Sequence, residues 1–306
     1  MASGAAAAPR TAWCERAPAK VTLSLHVLGL RDDAHHELEA LTIAVDGLGD
    51  EVVIRSEHDT HREAAARLEI TGPYAAGAPS DGTNLAARAW SAAGARYQLG
   101  DASITLTKNI PSGAGLGGGS ADAAAVLRVV AGMAGVECQE LSEVAATLGS
   151  DVPFCLDQHA AWMRGRGEIL EPVTFAVAAP FVILTVPVIC PTASVYQAWD
   201  ALEPGLRRGE EIAAPEWIAP HLPALRNDLT NAALNVVPEL KVWIEIIEAA
   251  TALRPLLLGS GSSFALFPEE DQLATALESL AHATFEHPGL ASYRVGPLSS
   301  APPWDH

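Results

Sequence analysis

The sequence predicts a mixed fold of strands and helices in two domains, and three observations carry that reading. Residues 19–27 and 103–108 alternate apolar with polar side chains, the period-2 signature of a strand with one covered face. Between 111 and 122 a glycine-rich stretch links the second of these strands to an Ala/Val-rich segment suited to a helix. Beyond residue 173 the pattern changes to apolar strands punctuated by Pro180 and Pro187, then to helical segments and a strand–turn–strand unit at 256–267, which marks a second domain. At 306 residues, 49% of them hydrophobic, the chain is long enough for one large domain or two ordinary ones with a real core.

Taken in order, the chain opens in strands. Residues 19–27 form the first, with Lys20 near its start, and 38–45 and 51–54 read as two more, split by Asp46-Gly47 and Gly49-Asp50 turns. Residues 68–71 add another, and 81–84 offer caps for a helix over 85–95. The strand 103–108 leads through Pro111 into the glycine loop, where Ser120 is placed to cap a helix over 121–130. A helix over 139–148 ends at Gly149, a good C′ residue, and 165–168 make a turn. In the second half, strands between 173 and 188 precede helices over 194–202, 229–234 and 239–252. A strand pair near 256 and 264 follows, covered by a helix over 271–282. The Ala-rich opening 1–9 and the Pro-rich end from 297 read as loose tails.

Composition narrows the function. Nineteen basic against 37 acidic residues leave a formal charge of −18, which argues against an extended nucleic-acid surface or an anionic membrane as partner. The apolar run 175–190 is broken by two prolines and is too short to span a bilayer comfortably. Cys14, Cys138, Cys155 and Cys190 lie far apart without C-x-x-C spacing, so neither a zinc site nor a disulfide framework is indicated and a reducing cytoplasm fits best.

The glycine loop carries the chemistry. Five of the seven residues 113–119 are glycine. Such a backbone reaches positive φ and turns several N–H groups toward one point, a nest for an anion. The helix start behind it adds unpaired donors and the positive end of a macrodipole, so phosphate is the natural guest. Gly-Lys-Ser/Thr is absent, which excludes a Walker A loop. Gly113, Gly115 and Gly118 satisfy G-x-G-x-x-G, but the strand before them alternates, whereas the buried parallel strand of a dinucleotide-binding domain is continuously apolar. A flexible linker is the bland alternative, although linkers of that kind are padded with polar residues.

Three stretches in this order, Pro-Ala-Lys20-Val-Thr-Leu, residues 111–122, and Leu258-Gly-Ser-Gly-Ser-Ser-Phe-Ala-Leu-Phe267, resemble the GHMP small-molecule kinases. Leu148-Gly149-Ser150-Asp151-Val152-Pro153-Phe154, His36-Glu37-Leu38-Glu39, Gly165-Arg166-Gly167-Glu168, Val195-Tyr196 with Trp199-Asp200, and Asn227-Asp228-Leu229 extend the resemblance over nearly the whole chain. It implies an α+β, two-domain GHMP kinase fold. A ribosomal protein S5 domain 2-like N-terminal domain over residues 1–170 would bind ATP, a ferredoxin-like C-terminal domain would occupy 171–306, and the active site would lie in the cleft between them. ATP and Mg²⁺ are the implied cofactors. Pro111, Gly113, Ala114, Gly115, Leu116, Gly117, Gly118, Gly119 and Ser120 would cradle the β- and γ-phosphates, with Ser120 near the metal. A valine at Gly118 is accordingly expected to intrude on the phosphate. Asp151 is the implied general base, with Lys20 beside it to keep the carboxylate ionised and orient the hydroxyl. Read without the resemblance, Asp151 in Ser-Asp-x-Pro is a helix N-cap and Lys20 a solvated strand lysine. Asn84 and Lys108 are implied to face the nucleotide; their local readings are a helix cap and an exposed strand lysine.

Within the family, the closer match is to members that phosphorylate the C2 hydroxyl of a cytidine-diphosphate-linked methylerythritol in non-mevalonate isoprenoid precursor biosynthesis. By that resemblance His36 reads the cytosine edge, Tyr196 stacks on the base and Thr192 lies nearby; the local readings are an exposed loop histidine and an amphipathic core tyrosine. Two departures fall on the substrate side. Ala34-His35-His36 stands where the family has Gly-Tyr-His, so His35 replaces a stacking tyrosine. Thr22 replaces an asparagine two residues after the strand lysine and loses the amide's paired donor and acceptor. A homoserine- or mevalonate-like alcohol and a catalytically silent nucleotide-binding relative therefore stand as alternatives. The implied partners are a small-molecule substrate and at most a second copy of the chain, monomer or homodimer, with no nucleic acid and no membrane, in the cytoplasm.

Overall fold

Strand β2 (His36–Ser56) is the spine on which the rest of the chain is arranged. The computed structural model describes residues 12–56, 65–173, 179–209, 211–215 and 224–298; the expected opening tail and most of the closing one lie outside them, as does part of the strand region after 173. In chain order β2 is preceded by β1 (Trp13–Leu30) and followed by β3 (Ala66–Thr71), α1 (Leu85–Tyr97), β4 (Ala102–Thr107), α2 (Gly118–Ala134), α3 (Ser142–Leu148), α4 (Val152–Asp157), β5 (Ala161–Gly165) and β6 (Ile169–Pro172). The second half adds β7 (Phe181–Thr185), α5 (Thr192–Ala201), α6 (Thr230–Val236), α7 (Glu239–Thr251), β8 (Leu256–Leu257), β9 (Phe264–Leu266), α8 (Leu273–Glu286) and β10 (Ala291–Pro297).

One edge of β2 pairs antiparallel with β1, from Trp13↔Ile54 to Leu30↔His36. Its other edge is shared in succession by β5 at Leu38–Thr42, β10 at Val45 and Asp46, and β4 at Glu51–Ser56. The path β3-β4-β2-β10-β7-β9-β8 thus carries one sheet from the first half into the second. β6, which includes the expected domain boundary after residue 170, pairs with β5.

Here the structure corrects the expected break between residues 45 and 51. Gly47 has φ +89° and a Cβ there would lie 2.6 Å from the Arg294 carbonyl oxygen of β10. The glycines therefore bend a continuous strand and admit a neighbour; they do not end it. Strands β5, β6 and β10 add to the expected set: β5 and β6 are short, and β10 contains Gly296 and Pro297, which read locally as breakers.

Helix α2 is buried at every position from Ala121 to Ala131, the charged Asp122 and Arg128 included. Small side chains let it lie close on the sheet, with Trp90 of α1 and Ile104 and Leu106 of β4 in the same core. Its N-cap is Gly117 in the left-handed region, and Gly135 closes its other end. Ser120 is the third residue of the helix and does not cap it, which corrects the expectation above. The opposite face of the sheet buries Val21, Leu23, Ile43, Phe181, Ile183 and Val295, residues from both halves of the chain.

Candidate active site

The glycine loop is fastened to β1. The Lys20 backbone N–H donates to the Leu116 carbonyl (3.0 Å), and a Cβ on Gly117 would lie 2.6 Å from Lys20 Cγ. Gly113, Gly115 and Gly117 take φ of +72°, +77° and +69°, so alternate residues occupy the region closed to most side chains. At Gly115 a Cβ would meet the carbonyl oxygens of Leu258 (2.8 Å) and Gly261 (3.0 Å), and Ser263 N–H donates to the Ala114 carbonyl (3.3 Å). The loop is therefore held between β1 and the Gly/Ser turn at 258–263. Behind it α2 presents the N–H groups of its first turn, which have no intrahelical acceptor.

Lys20, only 8% exposed, extends past Gly117 to Asp151. Its Nζ stands 3.3 Å from Asp151 Oδ2 and donates to Thr22 Oγ1 at 3.3 Å; Thr22 is in turn 3.5 Å from Thr42 Oγ1. Asp151 occupies the N-cap position of α4 but makes no side-chain cap bond. The local reading as a cap thus does not describe what its carboxylate does: with its side chain 34% exposed, it faces Lys20 and solvent. Burial, and then the Asp151 charge, push the Cys155 thiol up to about 12, leaving it a neutral bystander one turn away.

Two of the expected substrate residues, Tyr196 and His36, pack together, with Tyr196 within electrostatic reach of Asp151. Burial, reinforced by the Asp151 charge, raises the Tyr196 phenol well above its ordinary range. Tyr196 stacks on His36 (ring centroids 4.7 Å, 27° between planes), and Trp199 meets His36 edge-on at 5.7 Å. His36 Nε2 is 2.9 Å from Asp200 Oδ1. His36 is thus the first residue of β2, packed against α5, and not an exposed loop residue. Thr192 Oγ1 is hydrogen-bonded to Ser260 Oγ (2.9 Å), one helical turn before Tyr196. His35 stays outside this group: its side chain is 55% exposed and its Nδ1 lies 3.0 Å from the Asp33 carbonyl oxygen. Ala34 beside it holds φ +61°.

Three expectations about the nucleotide side change. Lys108 is 3% exposed, and its ammonium is ion-paired with Asp50 and Asp122; it is neither a solvated lysine nor one whose charge faces a ligand. Burial works against this ammonium, but the two carboxylates outweigh it and its pKa rises. Asn84 caps α1, its Oδ1 accepting from Ala86 N–H (2.9 Å) and its Nδ2 donating to the Pro79 carbonyl (2.8 Å), so its side chain is committed to the protein. At Gly118 a Cβ would meet Ile110 (3.1 Å) and Asp50 Oδ2 (3.4 Å), so a side chain here would first press on these interior neighbours.

Sequence reasoning missed Asp50, Asp122 and the role of Asn227. Asn227 Nδ2 donates to the carbonyls of Leu257 (2.8 Å) and Gly259 (2.6 Å), which sets the Gly/Ser turn against β1. Asp122 and Asn227 lie in stretches that carry the resemblance but were given no role, and Asp50 read only as part of a turn. Among the described residues no group of three or more His, Cys, Asp or Glu is arranged to hold a metal ion, and no helix is long and apolar enough to cross a membrane.

A glycine loop at a helix start, beside a lysine–carboxylate pair on this sheet, points to a class. Residues 84–159 match the family model described as GHMP kinases N terminal domain. A homoserine kinase structure from Cytophaga hutchinsonii covers 96% of this chain and is itself 98% covered, with a TM-score of 0.61 at 19% identity, and so shares the fold. The closer likenesses are narrower. The crystal structure of a 4-(cytidine 5'-diphospho)-2C-methyl-D-erythritol kinase has a TM-score of 0.73 at 33% identity over 93% of this chain and 99% of its own. The 4-diphosphocytidyl-2-C-methyl-D-erythritol kinase of Xanthobacter autotrophicus is 36% identical over 293 residues, 90% of this chain and 95% of the relative. The chain belongs to the 4-diphosphocytidyl-2-C-methyl-D-erythritol kinase family of GHMP kinases, and is an ATP-dependent small-molecule kinase of α+β fold.

Proposed function

We propose that this kinase transfers the γ-phosphoryl group of ATP to the C2 hydroxyl of 4-diphosphocytidyl-2-C-methyl-D-erythritol, a cytoplasmic step of non-mevalonate isoprenoid precursor synthesis. The observation that carries the proposal is the Lys20–Asp151 pair (3.3 Å) lying directly against the glycine loop through Gly117. Residues 1–170 supply the phosphate loop and the base, and 171–306 supply α5 with Tyr196 and Thr192.

Asp151 accepts the hydroxyl proton as the new O–P bond forms and the bond from the γ-phosphorus to the bridging oxygen of ADP breaks. Lys20, its Nζ 3.3 Å from Asp151 Oδ2, holds that carboxylate in place beside the attacking oxygen. The loop and the first turn of α2 offer N–H donors to the phosphates, and positioning with charge neutralisation is most of what phosphoryl transfer asks. Ser120, half-buried in that turn, is the residue that fits beside a phosphate-bound Mg²⁺, which needs few protein ligands. Bound there, such an ion would supply further charge neutralisation to the phosphates. His36, stacked on Tyr196 with its Nε2 held by Asp200 (2.9 Å), offers Nδ1 to a pyrimidine edge.

A coupled ADP-release assay over several alcohols tests the proposal. Turnover with the cytidyl substrate is expected, and Asp151→Asn is expected to lower kcat by ~10²-fold or more, within the range of general-base contributions, with ADP binding retained. Turnover of homoserine or mevalonate without the cytidyl substrate would sink it.

A further inference from the structure

Asp50 belongs to none of the motifs above, yet both ends of the glycine loop hang on it. Its Oδ1 accepts the backbone N–H groups of Asn109 (2.5 Å) and Ile110 (2.8 Å), the residues that lead into Pro111. Its Oδ2 takes the Lys108 ammonium, which also binds Asp122 Oδ2 just beyond the first turn of α2. The Asn109 amide donates to the Gly49 carbonyl (3.1 Å), and Gly118 closes over Asp50 Oδ2. Entrance and exit of the loop thus meet at one carboxylate.

A cluster of this kind is a poor way to gain stability. Buried ion triads are often no better than well-packed apolar side chains, because desolvation offsets their attraction. Here two carboxylates share one ammonium, and Asp122 Oδ1 has no hydrogen-bond partner. What the triad does provide is a set distance between 109–110 and 118–122, the span that the loop must bridge.

We propose that Asp50 is a positioning residue for the nucleotide: through the Asn109 and Ile110 N–H groups, and through Lys108 to Asp122, it sets the span of the phosphate loop and so governs affinity for nucleotide but not for the alcohol. This rests on reading the loop as the ATP phosphate cradle. A loop stretched or slackened by an ångström no longer aims its N–H groups at one point, and errors of that size are costly in preorganised sites.

The test is titration calorimetry on the full chain, with ADP and 4-diphosphocytidyl-2-C-methyl-D-erythritol measured separately. Asp50→Ala is expected to weaken ADP binding at least tenfold while the alcohol stays within twofold. Asp50→Asn, whose Oδ1 still accepts both N–H groups, is expected to recover most of that loss. Unchanged ADP affinity in folded Asp50→Ala, parallel losses for both ligands, or an Asn variant as weak as the Ala variant would overturn the proposal. Should Asp50→Ala not fold by circular dichroism, Asp50→Ser, too short to reach both N–H groups, carries the same expectations. A parent chain that binds no ADP would instead overturn the phosphate-cradle reading itself, so the two failures are distinguishable.

Discussion

Replacing Gly117 by alanine separates the two things this glycine does. Its φ of +69° lies in the left-handed region, where an L-residue costs about 1–2 kcal/mol. Its added Cβ would also stand 2.6 Å from Lys20 Cγ and 3.3 Å from Cε. Relaxing that overlap to an ordinary carbon contact of about 3.5–4.0 Å moves the middle of the lysine by roughly 1 Å, which pulls Nζ away from its 3.3 Å contact with Asp151. Gly113→Ala is the matched control: its φ is +72°, but its Cβ would meet only Ile189 Cγ2 at 3.8 Å. Both variants are expected to lose about 1–2 kcal/mol in urea unfolding from the backbone term. Only Gly117→Ala is expected to lose kcat by ~10²-fold, the scale of a 1 Å misplacement, with KM for ATP within threefold of the control. Steady-state kinetics at saturating ATP with both proteins decides the matter. Equal kcat in the two variants would show that Gly117 does not act through Lys20.

Other expectations follow from single contacts. Ala34→Gly is expected to raise stability by ~1 kcal/mol, because glycine relieves the left-handed strain at φ +61°; a fall in the urea midpoint would contradict the assigned turn. His35→Tyr changes a mostly exposed side chain that lies outside the Tyr196–His36 group, so it is expected to leave stability within ~0.5 kcal/mol and KM for the cytidyl substrate within twofold; a clearly lowered KM would put position 35 in base stacking. Burial, opposed by Lys108 and aided by Asp50, pushes Asp122 up from 3.8 to about 7. An acid whose folded pKa is raised contributes its full stability below the unfolded value and loses it as pH rises through the folded one. Parent stability relative to Asp122→Asn is therefore expected to fall between about pH 4 and pH 7, and parallel urea midpoints across that window would refute the shift.

Much of the architecture was legible because it is written in local geometry. Period-2 alternation located β1 and β4, Asn84 announced α1, and the spaced glycines announced a loop that must reach positive φ. Element ends were less legible: α2 begins at Gly118 instead of Ala121, with Gly117, against which Lys20 packs, at the cap position and no serine there. The resemblance brought Lys20, Asp151, His36 and Tyr196 into one neighbourhood, but only the coordinates showed that His35 stays out of it.

What the sequence determined by itself was the class of chemistry: a backbone nest for phosphate, backed by a helix and accompanied by a lysine and an aspartate in recognisable settings. Tertiary structure decided the partners. β2 runs through two apparent turn signals because β10 arrives to pair there, and Lys108 is buried and ion-paired because Asp50, 58 residues away, meets it. Propensity, capping and glycine freedom act over a few residues of backbone. Which charge is desolvated beside which other charge depends on segments meeting from far apart in the chain, and that information exists only once the sheet has closed.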